Sequence, residues 1–360
     1  MKDDLPYRIA LYGASGIGTV RYRILLKHFK TASEVWSLSR KDLEKTLGNK
    51  LAEQFVSYRL KTNPEELFNK IKNSGIITIF DEDRDYPKLL KQIEGRPAMI
   101  FVKGELLPID QKAVAVVGSR KVTSYGREVT ESLVRDLVQV GLTIVSGMAR
   151  GIDSIAHRAA LDAGGRTIAV LGGGLNQIYP AENINLAKEI EKSGAVISEY
   201  LPDVPSIPGN FPARNRIIAG LSLGVVVTEA DEKSGSLITA GFAAEQGREV
   251  FAVPGPVYSR LTRGPASLIK DGAKLVMNAS DVLEELKLDV RRQTSGVREV
   301  KGGSKEEQAV IDLLTDGPKQ VDEIVRKTGW ETKKVSTLLS MLELKGKVRS
   351  VGNGSYSLVR

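Results

Sequence analysis

The densest group of side chains that could do chemistry lies between residues 210 and 216. It combines an aromatic ring, two amides and two guanidinium groups: Asn210, Phe211, Arg214, Asn215 and Arg216. Asn210 can cap a helix and Pro212 is tolerated in a first helical turn, so the group should lie at a helix N-terminus. There the phenylalanine ring can stack on a base while the arginines hold phosphates, which suits single-stranded nucleic acid.

A structural interpretation of the same residues stays open. Phe211 could belong to the core, and the arginines could pair with Glu199, Glu229 or Asp231. One arginine alone would favour that interpretation. The whole cluster favours binding.

Three other segments have residue types that bind anions. Each follows an apolar run, contains glycine or serine, and carries a cation: Gly118-Ser119-Arg120-Lys121, the turn 146–151 with Arg150, and Lys233-Ser234-Gly235-Ser236. Turn amides and helix N-termini bind phosphate groups. One such turn is common in α/β proteins, but three of them, each with a cation, are a more specific sign of anion binding. Two cations in the first turn favour an exposed phosphodiester over a cofactor pyrophosphate.

Catalytic chemistry has little support in this sequence. There is no cysteine, which excludes disulfides, thiolate catalysis and cysteine-bound metals, and there are two histidines, which disfavours a histidine-rich metal site. Asp153 and His157 are spaced for one helix face, but no serine nucleophile motif accompanies them, so we expect a surface or helix-capping pair. The run 172–174 is either a phosphate turn or a tight connection. We expect no catalytic residue, metal or cofactor.

The composition is that of an ordinary globular protein with an excess of positive charge. Hydrophobic residues make up 41% and charged residues 27% of 360 positions, and the net charge is +8. The charge points weakly to a polyanionic partner. No apolar run is long enough to span a membrane and the chain opens on no signal peptide, so a cytoplasmic location is expected.

Strands and helices alternate regularly from residue 113 onward. Strands are predicted at 113–117, 142–146, 167–171, 195–198, 224–228 and 249–253, and helices at 125–140, 152–163, 181–192, 211–221 and 237–246. This alternation predicts an α/β fold with a doubly wound, parallel sheet. Ligands bind beyond the carboxyl ends of such strands, where the cationic turns lie. Two short strands, 75–80 and 98–103, should precede or edge the sheet.

The chain is predicted to hold three domains and one linker. Residues 1–72 read as short helices around a Gly-Ile-Gly turn, which is typical of helix-hairpin-helix modules and of plain packing domains. Residues 73–287 form the core. Residues 288–303 have linker composition. Residues 304–360 fit three helices and a β-hairpin about residues 352–354, a winged helix suited equally to protein contacts or a DNA groove.

Long motifs in the core resemble the DprA/Smf family of DNA-processing proteins. They are the segments 117–120, 146–153, 211–222, 233–240 and 249–255, and the order of the three domains also matches. The resemblance implies a Rossmann-like core between a small helical domain, sterile-alpha-motif-like or related, and a winged helix. It further implies a homodimer without known catalysis that binds and protects incoming single-stranded DNA in natural transformation and loads a RecA-type recombinase.

Matched by position, the family's DNA contacts fall within the clusters already described. They correspond to Gly118, Ser119, Arg120, Phe211, Arg214, Asn215 and Arg216, with the turn 233–236 as a further match. One departure is Pro208, which stands where some members carry a DNA-contacting lysine. Arg150 or Lys233 could supply that charge.

Two rival functions follow from other features. Related folds include nucleotide N-glycoside hydrolases, but here residues 231–237 lack the Pro-Gly-Gly-x-Gly-Thr turn and its glutamate. A regulator that binds duplex DNA through the winged helix is the other alternative.

Overall fold

The computed structural model describes residues 4–288, 302–314, 319–352 and 354–358. The chain forms two compact units, Met1–Arg291 and Arg292–Arg360. Each has its own hydrophobic core. Most of the predicted linker, residues 289–301, lies outside the described residues.

The first unit begins with six helices that pack around aromatic side chains. They are α1 Leu5–Gly13, α2 Thr19–His28, α3 Ala32–Ser37, α4 Arg40–Leu47, α5 Asn49–Lys61 and α6 Pro64–Asn73. Thr31, Ser39 and Asn63 accept first-turn amides and so start three of them. Trp36 lies edge-on to Phe55 with ring centroids 5.4 Å apart. The predicted helical region is therefore present.

A nine-stranded sheet follows, with helices between its strands. The strands are β1 Ile77–Phe80, β2 Met99–Gly104, β3 Ala113–Val117, β4 Thr143–Ser146, β5 Thr167–Leu171, β6 Ala195–Ser198, β7 Gly224–Val227, β8 Glu249–Ala252 and β9 Lys274–Leu275. The helices are α7 Lys88–Lys91, α8 Ser124–Gln139, α9 Ile152–Asp162, α10 Ile184–Ser193, α11 Asn210–Gly220, α12 Gly235–Glu245, α13 Arg263–Lys270 and α14 Ala279–Glu285, with 3-10 turns at Pro108–Gln111, Ala181–Asn183 and Arg260–Thr262.

The sheet order is β1-β2-β6-β5-β4-β3-β7-β8-β9. Strands β3 to β9 are mutually parallel, while β1 and β2 pair antiparallel along the β6 edge. This confirms the predicted Rossmann-like, mostly parallel, doubly wound sheet. β3 lies beside both β4 and β7, so the chain changes direction across the sheet at β3, where such folds bind ligands.

Strand β3 is buried on both faces, as its run of small and β-branched residues predicts. Val114 and Val116 pack with α8 and α9, whereas Ala115 and Val117 share a core with α11 and α12. A parallel strand covered by helices on both sides needs such an uninterrupted apolar run. The strand is thereby fixed, and the turn that follows it is held at the sheet edge.

The six N-terminal helices and one face of the sheet share a single hydrophobic core. Trp36 and Phe55 belong to the same cluster of buried side chains as Phe101, Leu171 and Val196. The predicted division at residues 72 and 73 therefore does not coincide with a break in packing. It stays a prediction about domain limits.

The second unit is a winged helix, as expected. It contains α15 Lys305–Leu314, β10 Lys319–Gln320, α16 Val321–Thr328, α17 Thr332–Leu344, β11 Val348–Gly352 and β12 Ser355–Leu358. Its sheet order is β10-β12-β11, and β10 is a strand that the sequence did not predict. The predicted turn between β11 and β12 lies partly outside the described residues. Within the described residues of both units, no helix is long and apolar enough to cross a membrane.

Candidate nucleic-acid interface

The carboxyl ends of β3, β4 and β5 meet the N-terminus of α11 around one pocket. It is lined by Arg120, Gly147, Ala149, Arg150, Tyr179, Pro180, Phe211 and Arg214. Parallel strands place the turns that follow them at the same sheet edge, which explains why residues far apart in sequence meet here. Three arginines and two aromatic rings thus surround one opening.

Arg214 is the buried member of this group and is only 5% exposed. Its guanidinium donates to the carbonyl of Gly147 at 2.6 Å and to the carbonyl of Val170. Burial lowers the pKa of Arg214 to about 10, and the charge of Arg120 acts in the same direction, against that of Asp153. The side chain therefore stays charged at neutral pH and joins α11 to the ends of β4 and β5.

Gly147 makes room for this arrangement. A Cβ at Gly147 would lie 2.7 Å from both an Arg214 nitrogen and an Asp153 oxygen. Asp153 accepts the amides of Gly147 at 3.2 Å and Ala149 at 3.3 Å, and burial raises its pKa. The turn after β4 is therefore stabilised by side chains beneath it and leaves Arg150 at its outer rim.

The surface position predicted for Asp153 and His157 is wrong, because both side chains are buried. His157 Nδ1 lies 2.7 Å from Thr167 Oγ1, and its Nε2 has no hydrogen-bond partner among the residues that the structure describes. Burial lowers the pKa of His157 to about 3, so the ring is neutral. The apolar neighbours of α9 cover this face, which the i, i+4 spacing alone could not indicate.

Arg120 and Phe211 lie at the mouth of the pocket. The Arg120 guanidinium is 5.7 Å from the centroid of the Phe211 ring, within cation–π range. Arg120 is exposed and forms no ion pair with any residue of the described ranges. A cation that is exposed, close to a ring and unneutralised by a carboxylate is the arrangement expected for a phosphate contact.

Sequence reasoning did not single out Tyr179, whose ring is 5.6 Å from that of Phe211 at an interplanar angle of 40°. It lies on the connection between β5 and α10 and is 47% exposed. A tyrosine followed by proline in a long connection carries no periodic or charge signal. Only the sheet order brings it beside Phe211.

The turn after β3 is held by hydrogen bonds of Ser119, which is buried. Ser119 donates its amide to the Glu229 carbonyl at 2.6 Å, and its hydroxyl donates to the Lys121 carbonyl at 2.9 Å and accepts the Lys121 amide at 3.1 Å. A Cβ at Gly118 would lie 2.8 Å from the Glu229 carbonyl oxygen. Gly118 and Ser119 therefore shape the turn, while the side chains of Arg120 and Lys121 are exposed.

The structure corrects the expectation that this turn offers a helix N-terminus to an anion. Glu229 already occupies the N-terminus of α8: its carboxylate accepts from the Thr123 amide at 3.0 Å and from the Thr123 hydroxyl at 2.5 Å. Gly126 has no Cβ, which would otherwise lie 2.1 Å from a Glu229 oxygen. The carboxylate takes the place that a ligand's phosphate has in nucleotide-binding folds.

Arg150 and Arg216 both have carboxylate partners. Arg150 donates to the two oxygens of Glu182 at 2.9 Å each in an exposed pair, which lowers the pKa of Glu182. Arg216 donates to both oxygens of Glu199 at 2.7 Å and to the Gly95 carbonyl at 3.1 Å. The structural interpretation left open above applies to Arg216, because this pair is largely shielded from solvent.

The two asparagines of the cluster have different positions. Asn210 is the first residue of α11, but Gly209 is the cap and no side chain caps the helix, so the capping role predicted for Asn210 is wrong. Asn215 is buried, accepts from Arg214 Nε at 3.2 Å and donates to the Gly235 carbonyl at 3.1 Å. It connects α11 to the start of α12.

The turn 233–236 lies after β7, and it does not line the pocket. Ser234 caps α12 by accepting the Ser236 amide at 3.3 Å, and the two hydroxyls are 2.8 Å apart. Lys233 and Gly235 are exposed, and a Cβ at Gly235 would meet open space. This turn therefore presents Lys233 on the same sheet edge, where it forms no ion pair with a residue that the structure describes. In the described part of the chain no group of three His, Asp or Glu side chains could hold a metal ion.

Comparisons with known proteins match both units. Residues 76–287 match the family model of DNA recombination-mediator protein A, and residues 298–354 match the DprA winged helix domain. DNA processing protein DprA of Bacillus subtilis is 43% identical over 242 residues, which cover 65% of this chain and 82% of that protein.

Two solved structures are also similar. The X-ray structure of DprA from Streptococcus pneumoniae has 37% identity and a TM-score of 0.67, covering 78% of this chain and 96% of that one. A structure of DNA processing protein A from Helicobacter pylori, described by its single-stranded DNA binding mode, has 32% identity and a TM-score of 0.53, covering 59% and 95%.

Proposed function

Because this chain belongs to the DprA/Smf family of DNA-processing proteins, we propose that the pocket at the ends of β3, β4 and β5 binds single-stranded DNA. In this proposal the protein acts in the cytoplasm as a homodimer, protects incoming DNA during natural transformation and loads a RecA-type recombinase onto it. The Helicobacter pylori protein, whose structure is described by its single-stranded DNA binding mode, supports the choice of ligand.

The observation that carries the proposal is the position of Arg120. It is exposed, stands over the Phe211 ring and shares one pocket with Arg150 and Arg214. Aromatic rings with neighbouring cations bind single strands because every base has a stacking face and every nucleotide has a phosphate. These contacts do not read base edges, so we expect little sequence preference.

The cations of the cluster have different roles in this proposal. Arg120 and Lys121 bind phosphates directly, and Arg150 exchanges Glu182 for a phosphate oxygen. Arg214 stays buried and holds the floor of the pocket, to which it adds positive potential. Arg216 supports α11 through Glu199 and does not contact DNA.

The turn after β7 is a second point of contact on the same sheet edge. Lys233 binds the DNA backbone there, beside the exposed residue Gly235, and it supplies one cation that Pro208 does not. Asn215 keeps this turn in a fixed place relative to α11. The single-stranded DNA then crosses the carboxyl ends of the central β-strands between the pocket and this turn.

A binding role without catalysis agrees with the state of the two titratable groups beneath the pocket. His157 is buried and neutral, and Asp153 is engaged by two backbone amides. Neither is placed to exchange protons with a ligand in the pocket. An N-glycoside hydrolase would release free base from nucleoside monophosphates, and we expect none.

The proposal is tested by fluorescence anisotropy with labelled oligothymidylate and with a duplex of the same length at the same salt. The single strand should bind more tightly, and mixed-sequence single strands should bind about as well. Equal or tighter binding of the duplex would assign recognition to the winged helix and contradict the proposed site.

A further inference from the structure

Two rings lie in the pocket, and they differ in how much surface they offer. Tyr179 is 47% exposed, whereas Phe211 is half-buried. Phe211 lies against the backbone at Gly172, where a Cβ would be 2.8 Å from its ring, and it contacts both Tyr179 and Arg120. Much of the Phe211 ring is therefore already covered.

We propose that Tyr179 provides the stacking face for one nucleobase, with Phe211 as the support behind it. The inference rests on the proposed function, since it assigns a base contact within the same pocket. Its basis is the geometry: the ring centroids are 5.6 Å apart, too close for a base to enter between the rings, so a base stacks on the outer face of Tyr179.

The connection that carries Tyr179 is fixed before any ligand arrives. Asn183, four residues later, is buried and donates to the Met148 carbonyl and to the Ser154 hydroxyl, each at 2.8 Å. A side chain held in its binding position loses less entropy when the ligand binds, so this connection is suited to a stacking role.

The charges around Tyr179 fit a nucleotide rather than another flat apolar ligand. Arg120 and Arg150 line the same pocket as the ring. A base stacked on Tyr179 would carry its phosphodiester past these guanidinium groups. The ligand class is therefore a base attached to a phosphate backbone, in a strand without a partner strand to cover the base.

The test compares Tyr179→Ala with the wild-type protein on two probes, an oligothymidylate and an abasic oligonucleotide of equal length. Loss of a stacked base should weaken thymidylate binding by roughly 5- to 150-fold. The abasic strand should bind the variant and the wild type equally, and the slope of affinity against salt should not change. Tyr179→Phe, which keeps the ring, should restore thymidylate binding.

Leu60→Ala is the control, because Leu60 is 83% exposed on α5 and does not line the pocket. It removes a large exposed apolar side chain outside the pocket and should not change affinity. Tyr179→Leu replaces the alanine variant if melting temperature shows that alanine unfolds the chain, since leucine fills the space without an aromatic face.

Three outcomes overturn the inference. Thymidylate affinity that is unchanged in the variant removes Tyr179 from the site, and equal losses on both probes assign it to the backbone. In both cases the wild type still binds, so the proposed function stands. A wild-type protein that binds no single strand would instead refute the proposed function and this inference together.

Discussion

The substitution Arg120→Ala tests the proposed site most directly. Arg120 is exposed, and within the described ranges no carboxylate forms an ion pair with it. Its removal therefore leaves no buried charge behind, and the main local loss is the cation–π contact with Phe211, about 0.5–1 kcal/mol at an exposed site. We expect the melting temperature to change little.

The effect on binding should be much larger. A hydrogen bond to a charged group contributes about 1.5–3 kcal/mol, which corresponds to roughly a 10- to 150-fold weaker affinity. One phosphate contact fewer should also reduce the slope of log affinity against log salt by about 0.7 for a single strand. The two effects should appear together, because the same guanidinium causes both.

The assay is anisotropy of labelled oligothymidylate across a salt series, with melting temperatures recorded alongside. Arg158→Ala is the matched control, because Arg158 is exposed on α9 and pairs with Glu189 away from the pocket. It removes the same charge from the chain and should leave the slope unchanged. If Arg120→Ala also leaves the slope unchanged, the phosphate contact assigned to Arg120 is refuted.

Two further predictions follow from burial and from the two cores. Removal of residues 304–360 should leave a folded chain that still binds single strands, because the second unit has a separate core. Lost binding with an intact circular dichroism spectrum would place the binding site in residues 304–360. The pKa of His157 falls from about 6.5 to about 3 on folding, so below about pH 6.5 the unfolded chain binds a proton that the folded chain does not. The free energy of unfolding should therefore decline as pH falls below about 6.5, by up to about 1.4 kcal/mol per pH unit. Urea unfolding at pH 7 and at pH 5 should show a smaller decline in the free energy of unfolding for His157→Gln than for the wild type. An equal decline in the two proteins would contradict this.

The fold was predictable because its signals are local. The run 113–117 can be covered on both faces only inside a parallel sheet, and β3 occupies those same residues. The start of α11 was similarly marked by Pro212 and the polar residues around it, and α11 begins within one residue of the prediction. Strands β9 and β10 were missed, because two-residue strands have no periodicity to detect.

The site was predictable only in part, because its pairings are long-range. Sequence placed Arg120 and Phe211 at one sheet edge, and they do meet. The sequence could not show which arginine pairs with a carboxylate. Arg216 pairs with Glu199, whereas Arg120 forms no ion pair with any carboxylate that the structure describes. Nor could it show that Glu229 reaches across from β7 to the start of α8, because that contact depends on strand order.

The core shared between the N-terminal helices and the sheet has a consequence for synthesis of the chain. Trp36 and Val196 belong to one cluster, and they are 196 minus 36, or 160, positions apart. A ribosome adding about 5–20 residues per second needs roughly 10–30 seconds to cover that interval. During that time only part of the sheet on which these helices bury their apolar faces, beginning with β1 and β2, has been made. The nascent chain is therefore most exposed to aggregation, and most in need of a chaperone, before the sixth strand emerges.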